Sequence, residues 1–359
     1  MSKPSVDEIE ISLFGGQKQG ESIVIHLGND NWAIIDSFNG IKSQTPIALD
    51  YLESIQVTPD QVKVIILTHY HNDHVKGIVD IAMSCKNAEV WIPCVFDGAS
   101  FMVLMKKLNR IKNTRFNPLL ELNALLDADD DGLIELKRGK QDMVLYKDVV
   151  DNKQVELVCL SPNDKTTRHF EKHIQKVIDD KEESSMMVKS KDPNYQSLSV
   201  ILKIDGFHVL LTGDLENLNQ NIGLESILNS KLLPNNTCTV FKVPHHGSEN
   251  GYNEKVWKVF IDNEETYLIM TPIKVGKTIL PNNEMIKFFK KNYEKLYITS
   301  DPYDGSGGLK HKPNTRRIIS GLNLKIEKNQ DFFGQIRIRK ILGAKTKATI
   351  DLYDKALML

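Results

Sequence analysis

The stretch from Val64 to Gly77, VIILTHYHNDHVKG, runs from a block of apolar residues into His69, His71, Asp73 and His74 within six positions. Imidazole nitrogens and carboxylate oxygens are the donors that zinc and related divalent ions take, and a catalytic site combines about three of them with an open position. A plain soluble core has no use for such a cluster, because a buried histidine is costly unless both ring nitrogens find partners. His69 and His71, two apart at the end of a predicted strand, can aim both rings at one ion. Asp73 and His74, on the turn that follows, suit a second ion nearby. Two neighbouring ions call for a carboxylate between them. Asp214 in LLTGDLE offers one, placed after Gly213, which lets the backbone turn sharply at a strand end. His245 and His246 in VPHHGSEN stand at another strand terminus. On a strand both side chains cannot point the same way, so which of the two is the ligand stays open.

The elements that must position these residues read as follows. VDEIEISLF, ESIVIHLG and NWAIIDS are β-type runs separated by Gly- and Asn-containing turns, which predicts an antiparallel meander. TPIALDYLESIQ has helical apolar spacing, VKVIILTH is a buried strand that delivers the histidine cluster, and VKGIVDIAMSC continues as a helix. From about residue 99 to 190 the pattern turns charged and helical. We read this as an insertion broken by one core strand, VELVCLSP. Strands resume in SLSVILKIDGFHVLLTGD, a hairpin with DG at its turn, then in CTVFKVPHHGS, ETYLIMTP and KLYITSD, with a helix around NEMIKFFKKNYE and a last hairpin in NLKIEKNQDFFGQIRIRK.

Taken together, H-x-H-x-D-H (His69, His71, Asp73, His74), LLTGD and KVPHHGS resemble the metallo-β-lactamase fold hydrolases, with IIDS (Asp36) upstream. The series QGESIVI, LSPND, NYQSLSVIL, LLTGD and KVPHHGS resembles more narrowly the hydrolase domain of ComEC-type competence proteins and related phosphorylcholine esterases. The resemblance covers roughly residues 7 to 300 without the insertion. It implies an α/β (α+β) fold, an αββα metallo-β-lactamase sandwich with a helical insertion. The expected division is a fold domain over residues 1–308, with the insertion at about 99–190, and a basic segment over 309–359 packed on the same domain. The resemblance also implies a metal-dependent hydrolase that uses a metal-bound hydroxide, with two divalent ions, Zn or Mn. His69 and His71 would bind the first ion and Asp73 and His74 the second. Asp214 would bridge, His246 would be a third histidine on the first ion, and Asp36 would orient the histidine turn. Asp73, Asp214 and His245 are the expected catalytic residues, and Lys242, His245 and Ser248 the expected substrate donors. A phosphodiesterase or nuclease acting on DNA, RNA or a nucleotide is the leading expectation. A hydrolase of a non-phosphate ester such as a lactone, or a non-catalytic metal-binding scaffold or partner subunit, is the alternative. Two departures stand out. Ser197 occupies the strand where many of these enzymes carry a further histidine, which disfavours β-lactam or glyoxalase-type chemistry, and Leu280 precedes Pro281 where many ComEC-type chains have one.

Other features carry less. DADDDGLIELKR places Asp127, Asp129 and Asp131 at the first, third and fifth positions of a calcium-type loop with Gly132 sixth, but Arg138 stands where a bidentate Glu belongs. The flanks lack a helix–loop–helix pattern, so a solvated acidic loop is the reading, with a weak calcium site at Asp127, Asp129 and Asp131 as the alternative. His26 and His208 lie in strands as structural residues, and His169 and His173 are four apart on a charged helix. Cys85, Cys94, Cys159 and Cys238 have no paired spacing, so neither a disulfide framework nor a zinc ribbon is indicated. The net charge is −1, which disfavours a nucleic-acid coat. From Leu309 onward, however, twelve Lys/Arg face four Asp/Glu, an asymmetry suited to an anionic partner. The insertion is read as shaping substrate access or a protein-partner surface, and its Lys106, Lys107, Arg110, Lys112 and Arg115 as the exposed face of an amphipathic helix. No apolar run suits a membrane span or a signal segment, so a cytoplasmic, membrane-free protein is expected.

Overall fold

The computed structural model describes residues 1–97, 101, 103, 118–179, 194–204, 206–303, 333–344 and 346–359. Lys106, Lys107, Arg110, Lys112 and Arg115 of the expected insertion, and residues 323–332 of the expected last hairpin, lie outside these. In chain order come β1 (Glu8–Gly16), β2 (Gly20–His26), β3 (Trp32–Ile35), α1 (Ile47–Ser54), β4 (Val62–Ile66), α2 (Asn72–Val75), α3 (Ile78–Ser84), β5 (Glu89–Pro93), α4 (Pro118–Asp130) and β6 (Glu135–Gly139). Next are β7 (Val144–Val150), β8 (Lys153–Ser161), α5 (Asp164–Asp179), β9 (Ser199–Ile204), β10 (Phe207–Leu211), β11 (Asn217–Asn219), β12 (Ile222–Gly223) and β13 (Val240–Lys242). The chain closes with α6 (Glu254–Phe260), β14 (Tyr267–Met270), β15 (Ile273–Val275), β16 (Thr278–Leu280), α7 (Asn283–Asn292), β17 (Leu296–Ile298), β18 (Gly334–Ile341), β19 (Thr349–Asp354) and β20 (Leu357–Met358).

Two eight-stranded sheets result. One has the order β19-β18-β1-β2-β3-β4-β5-β6, the other β20-β17-β14-β13-β10-β9-β8-β7. Period-two alternation explains why they stack. On β3 and β4, Ile35, Val64 and Ile66 point into a core shared with Val200, Val209, Leu211 and Ile269 of the other sheet. Their neighbours Ile34 and Ile65 point outward, against α1, α3 and α4 through Leu52, Ile81 and Leu125. On the second sheet, Leu210 and Phe241 face outward beneath Trp257 and Phe260 of α6 and Phe289 of α7. Three apolar layers therefore alternate with helix, sheet, sheet and helix. The strands between them are buried on both faces, which is why they read as nearly continuous apolar runs.

Sequence and structure part company in three places. Where one core strand was expected inside the insertion, three form: β6 extends the first sheet beside β5, and β7 and β8 extend the second beside β9. The Gly334–Ile341 strand, expected in a last hairpin, has β1 on one side and β19 on the other. The calcium-type loop is not a loop, because α4 runs through Asp127 and Asp129. Residues two apart on a helix point about 200° apart and cannot converge on one ion. Asp127 instead accepts a hydrogen bond from Asn123 (2.9 Å), and Asp129 one from the Leu136 amide (2.9 Å). No helix among the described residues is long and apolar enough to cross a membrane.

Candidate metal centre

The site lies at one edge of the sandwich, where β4, β10 and β13 all end. Past β4 the chain is held by Asp36, whose carboxylate is buried. The Thr68 amide donates to Asp36 Oδ1 (2.7 Å), while the Thr68 hydroxyl (2.7 Å) and His74 Nδ1–H (2.8 Å) donate to Oδ2. The single proton of Thr68 Oγ1 is spent on Asp36, so Oγ1 accepts from His69 Nδ1–H at 3.0 Å. Asp36 thus sets the tautomer of both His69 and His74, leaving each Nε2 to face the cleft. Gly213 brings the Asp214 loop against this turn. Its φ is +54°, and a Cβ there would sit 3.0 Å from Thr68 Cβ, so only glycine fits without a shift.

Four donors converge. His246 Nε2 lies 3.1 Å from Asp73 Oδ2 and 3.1 Å from Asp214 Oδ2, and His74 Nε2 lies 3.3 Å from Asp214 Oδ2 and 3.5 Å from Asp73 Oδ2. His69 Nε2 and His71 Nδ1 face each other across 3.2 Å. Bonds of 2.0–2.1 Å around a tetrahedral ion place neighbouring donors about 3.3 Å apart, so these spacings fit a divalent metal. His74 Nε2 is buried and makes no hydrogen bond, although two carboxylates approach it. His246 Nε2, by contrast, meets Asp73 Oδ2 in a hydrogen bond, so what suits the group to an ion is the spacing of its four donors. Asp73, His74, Asp214 and His246 form one group of potential ligands within 4.8 Å of one another, and Asp36, His69 and His74 form a second.

The electrostatics of the bare site follow from burial and charge crowding. Burial pushes His69 far below its ordinary pKa, helped by His74 and His71, and pushes His71 down as well. Burial would lower His74 and His246 too, but the carboxylates overcome it. Asp214, Asp73 and Asp36 hold His74 well above its ordinary value, and Asp214 with Asp73 raises His246 to about 9. Burial opposes ionisation of Asp73 and Asp214, yet the neighbouring His74 and His246 keep both carboxyls below the usual range.

The expected residues are not all where the sequence suggested. His246 belongs with Asp73, His74 and Asp214, not with His69 and His71 as a third histidine on the first ion. The reason is conformational. His245 (φ 45°) and His246 (φ 53°) both adopt the left-handed region in a tight turn, so strand alternation does not apply to them. Such conformations cost on the order of 1–3 kcal/mol each in non-glycine residues and gather at functional sites. His245 turns away from the four-donor group. Its Nδ1 lies 2.6 Å from Glu216 Oε1 and 2.8 Å from Ser248 Oγ, and its Nε2 lies 3.2 Å from Asn194 Nδ2.

Lys242 is not a substrate donor. It is fully buried, and its Nζ lies 2.8 Å from Glu21 Oε1 and 3.3 Å from Asp214 Oδ1. Ser248 is likewise turned inward, its Oγ accepting the Gly251 amide (3.1 Å) and meeting His245. Leu280 is half-buried, and Pro281 beside it packs on the histidine turn, 3.1 Å from where a Cβ on Gly247 would be. Ser197 is buried at the end of the strand gap before β9. Asp127, Asp129, Asp131, His169 and His173 join none of the potential metal groups among the described residues. Glu21, Thr271, Glu216 and Asn194 were not singled out from sequence. Glu21 had a weak signal, a carboxylate at the head of the strand run ESIVIH, and Glu216 stands two residues past Asp214. Thr271 had none.

Residues 15–93 match the metallo-beta-lactamase superfamily. No curated protein matches the chain. Among solved structures, Rm3 metallo-beta-lactamase superposes with a TM-score of 0.34 at 12% identity, over 69% of this chain and 78% of its own. The hydrolase AbOPH of the beta lactamase superfamily gives 0.33 at 16% identity, over 59% and 72%. Human tRNase Z, short form, gives 0.31 at 10% identity, over 65% and 76%. The histidine–aspartate turn falls inside the matched stretch, and the layers built around it are helix, sheet, sheet and helix, so the chain has the metallo-β-lactamase fold.

Proposed function

We propose that this chain is a metal-dependent phosphodiesterase acting on nucleic acid or a nucleotide. The observation that carries the metal part is the group formed by Asp73, His74, Asp214 and His246, with His69 and His71 beside it. The superfamily matched by residues 15–93 consists mostly of metal-dependent hydrolases. The preference for phosphodiesters rests on the order of the motifs, which resembles the ComEC-type domains, and on Ser197 in place of a further histidine.

Asp73, His74, Asp214 and His246 would hold one divalent ion, Zn or Mn, and His69 and His71 with Asp214 a second. Bound divalent ions supply Lewis acidity and lower the pKa of coordinated water. The chain's own residues do the rest. Asp36 and Thr68 hold two rings in the tautomer that presents Nε2. His245, the more exposed member of its pair, is held at Nδ1 by Glu216 and meets Asn194 at Nε2, and in this reading it is the side chain that meets the substrate or its leaving group. Its side chain is 20% exposed, against 2% for His246. His245→Ala is therefore expected to lower turnover by roughly a hundredfold or more while metal content, read by elemental analysis, stays that of the wild type. A parallel loss of metal would place His245 among the ligands instead.

The substrate class is tested by the purified protein, reloaded with Zn²⁺ or Mn²⁺, against bis(p-nitrophenyl) phosphate, a p-nitrophenyl carboxylic ester and a lactone, each with and without chelator. Chelator-sensitive turnover of the phosphodiester alone is the expected result. Turnover confined to the carboxylic ester or lactone would overturn the phosphodiester assignment. Silence across the panel with metal bound would favour a metal-binding scaffold.

A further inference from the structure

Lys242 is a lysine with no route to solvent, placed on β13 directly before the histidine turn. An ammonium has three N–H donors and no acceptor, and three acceptors surround this one. Nζ donates to the Gly213 carbonyl at 2.7 Å, lies 2.8 Å from Glu21 Oε1 and 3.3 Å from Asp214 Oδ1. Taking Oδ1 of Asp214 fixes the carboxylate so that Oδ2 is the oxygen facing His74 and His246.

The second arm starts at Glu21, on β2 of the opposite sheet. This carboxylate is ion-paired with Lys242 and can only accept. The Thr271 hydroxyl donates to Glu21 Oε2, which spends its one proton. Thr271 Oγ1 is then an acceptor for His246, whose Nδ1 lies 3.0 Å away and 3.2 Å from the Thr271 carbonyl. The proton of His246 is thereby placed on Nδ1 and the Nε2 lone pair turned toward Asp73 and Asp214. The same device, carboxylate to threonine to histidine Nδ1, recurs at Asp36, Thr68 and His69. Its recurrence on an unrelated strand argues against a chance contact.

We infer that Lys242, Glu21 and Thr271 form one positioning network that begins on Asp214, ends on His246 and sets the metal affinity of the four-donor group. The inference rests on the metal-binding reading of that group. Because the network bridges both sheets, it also locks the edge of the sandwich in the geometry that brings Asp214 and His246 within 3.1 Å. Lys242 acts through these ligands and touches no substrate.

The test is competition for Zn²⁺ between a chromophoric chelator and the wild type, Lys242→Met, Lys242→Arg or Thr271→Val, with thermal unfolding of each metal-free protein alongside. Outer partners of metal ligands are worth about ten- to a hundredfold in affinity. We expect losses of that size in Lys242→Met and Thr271→Val, with Lys242→Arg partly recovering what Lys242→Met loses. Thr271→Val keeps shape and charge, so it decides the matter if Lys242→Met does not fold. Its nitrogen-15 spectrum is expected to show the Nδ1–H of His246 shifted, because the Thr271 carbonyl at 3.2 Å is then its one remaining acceptor on Thr271. Wild-type affinity in folded Thr271→Val would overturn the network while leaving the metal site standing. A wild type that binds no Zn²⁺ would overturn the metal reading itself, and the network with it.

Discussion

Replacing Asp214 by Asn is expected to remove turnover, with metal affinity falling by more than a hundredfold. Asp214 Oδ2 is the atom shared by the two histidines of the four-donor group, 3.3 Å from His74 Nε2 and 3.1 Å from His246 Nε2. Asparagine conserves volume and can still offer its carbonyl oxygen to Lys242. The atom that then faces the histidines is an N–H group, which donates to ring nitrogens and cannot bind a cation. The substitution also leaves one fewer negative charge beside Lys242 in a buried site. Loss of even an outer partner costs about ten- to a hundredfold in affinity, so losing a ligand should cost more. The checks are zinc competition and phosphodiester turnover on protein with wild-type secondary structure by circular dichroism. Near-wild-type metal content with full activity would mean that Asp214 is not a ligand.

Asp36→Ala is expected to be the most damaging single change to the frame of the site. Asp36 is 1% exposed and accepts from Thr68 N–H, Thr68 O–H and His74 Nδ1–H. Removing it strands three buried donors at once. Breaking a buried charged pair by deleting one partner costs roughly 3–5 kcal/mol, and each donor left without an acceptor adds to the loss. The thermal midpoint should fall sharply, and zinc affinity should fall with it, because His69 and His74 lose the partners that set their tautomers. Asp36→Asn retains one acceptor oxygen, so it is expected to be milder in stability than in metal affinity. Denaturant unfolding with and without Zn²⁺ separates the two effects. Equal stability of Asp36→Ala and wild type would remove Asp36 from its assigned place.

Much of this was readable in the residue order, and the exceptions share a cause. His69, His71, Asp73 and His74 lie within one turn, so their proximity is local and the sequence alone exposes it. The layered sandwich came from the family resemblance rather than from periodicity, because strands such as Trp32–Ile35 and Phe207–Leu211 are buried on both faces and do not announce which face each side chain takes. What stayed hidden depends on contacts between distant segments or on backbone conformation. The burial of Lys242 needs Glu21, more than two hundred residues away on the other sheet. The grouping of His246 with Asp73 needs two consecutive left-handed histidines, which no side-chain pattern announces. The acidic run at Asp127 looked like a loop because its spacing fits a calcium motif, yet the preceding apolar residues Leu122, Leu125 and Leu126 pack as a helix on the first sheet and carry the acids with them.

The central claim, that Asp73, His74, Asp214 and His246 are metal ligands, is tested most directly by anomalous diffraction at the zinc edge from crystals grown with Zn²⁺. The account predicts an anomalous peak bonded to Nε2 of His74 and His246 and to the carboxylates of Asp73 and Asp214. Zinc-loaded crystals in which these four side chains touch no ion would contradict it.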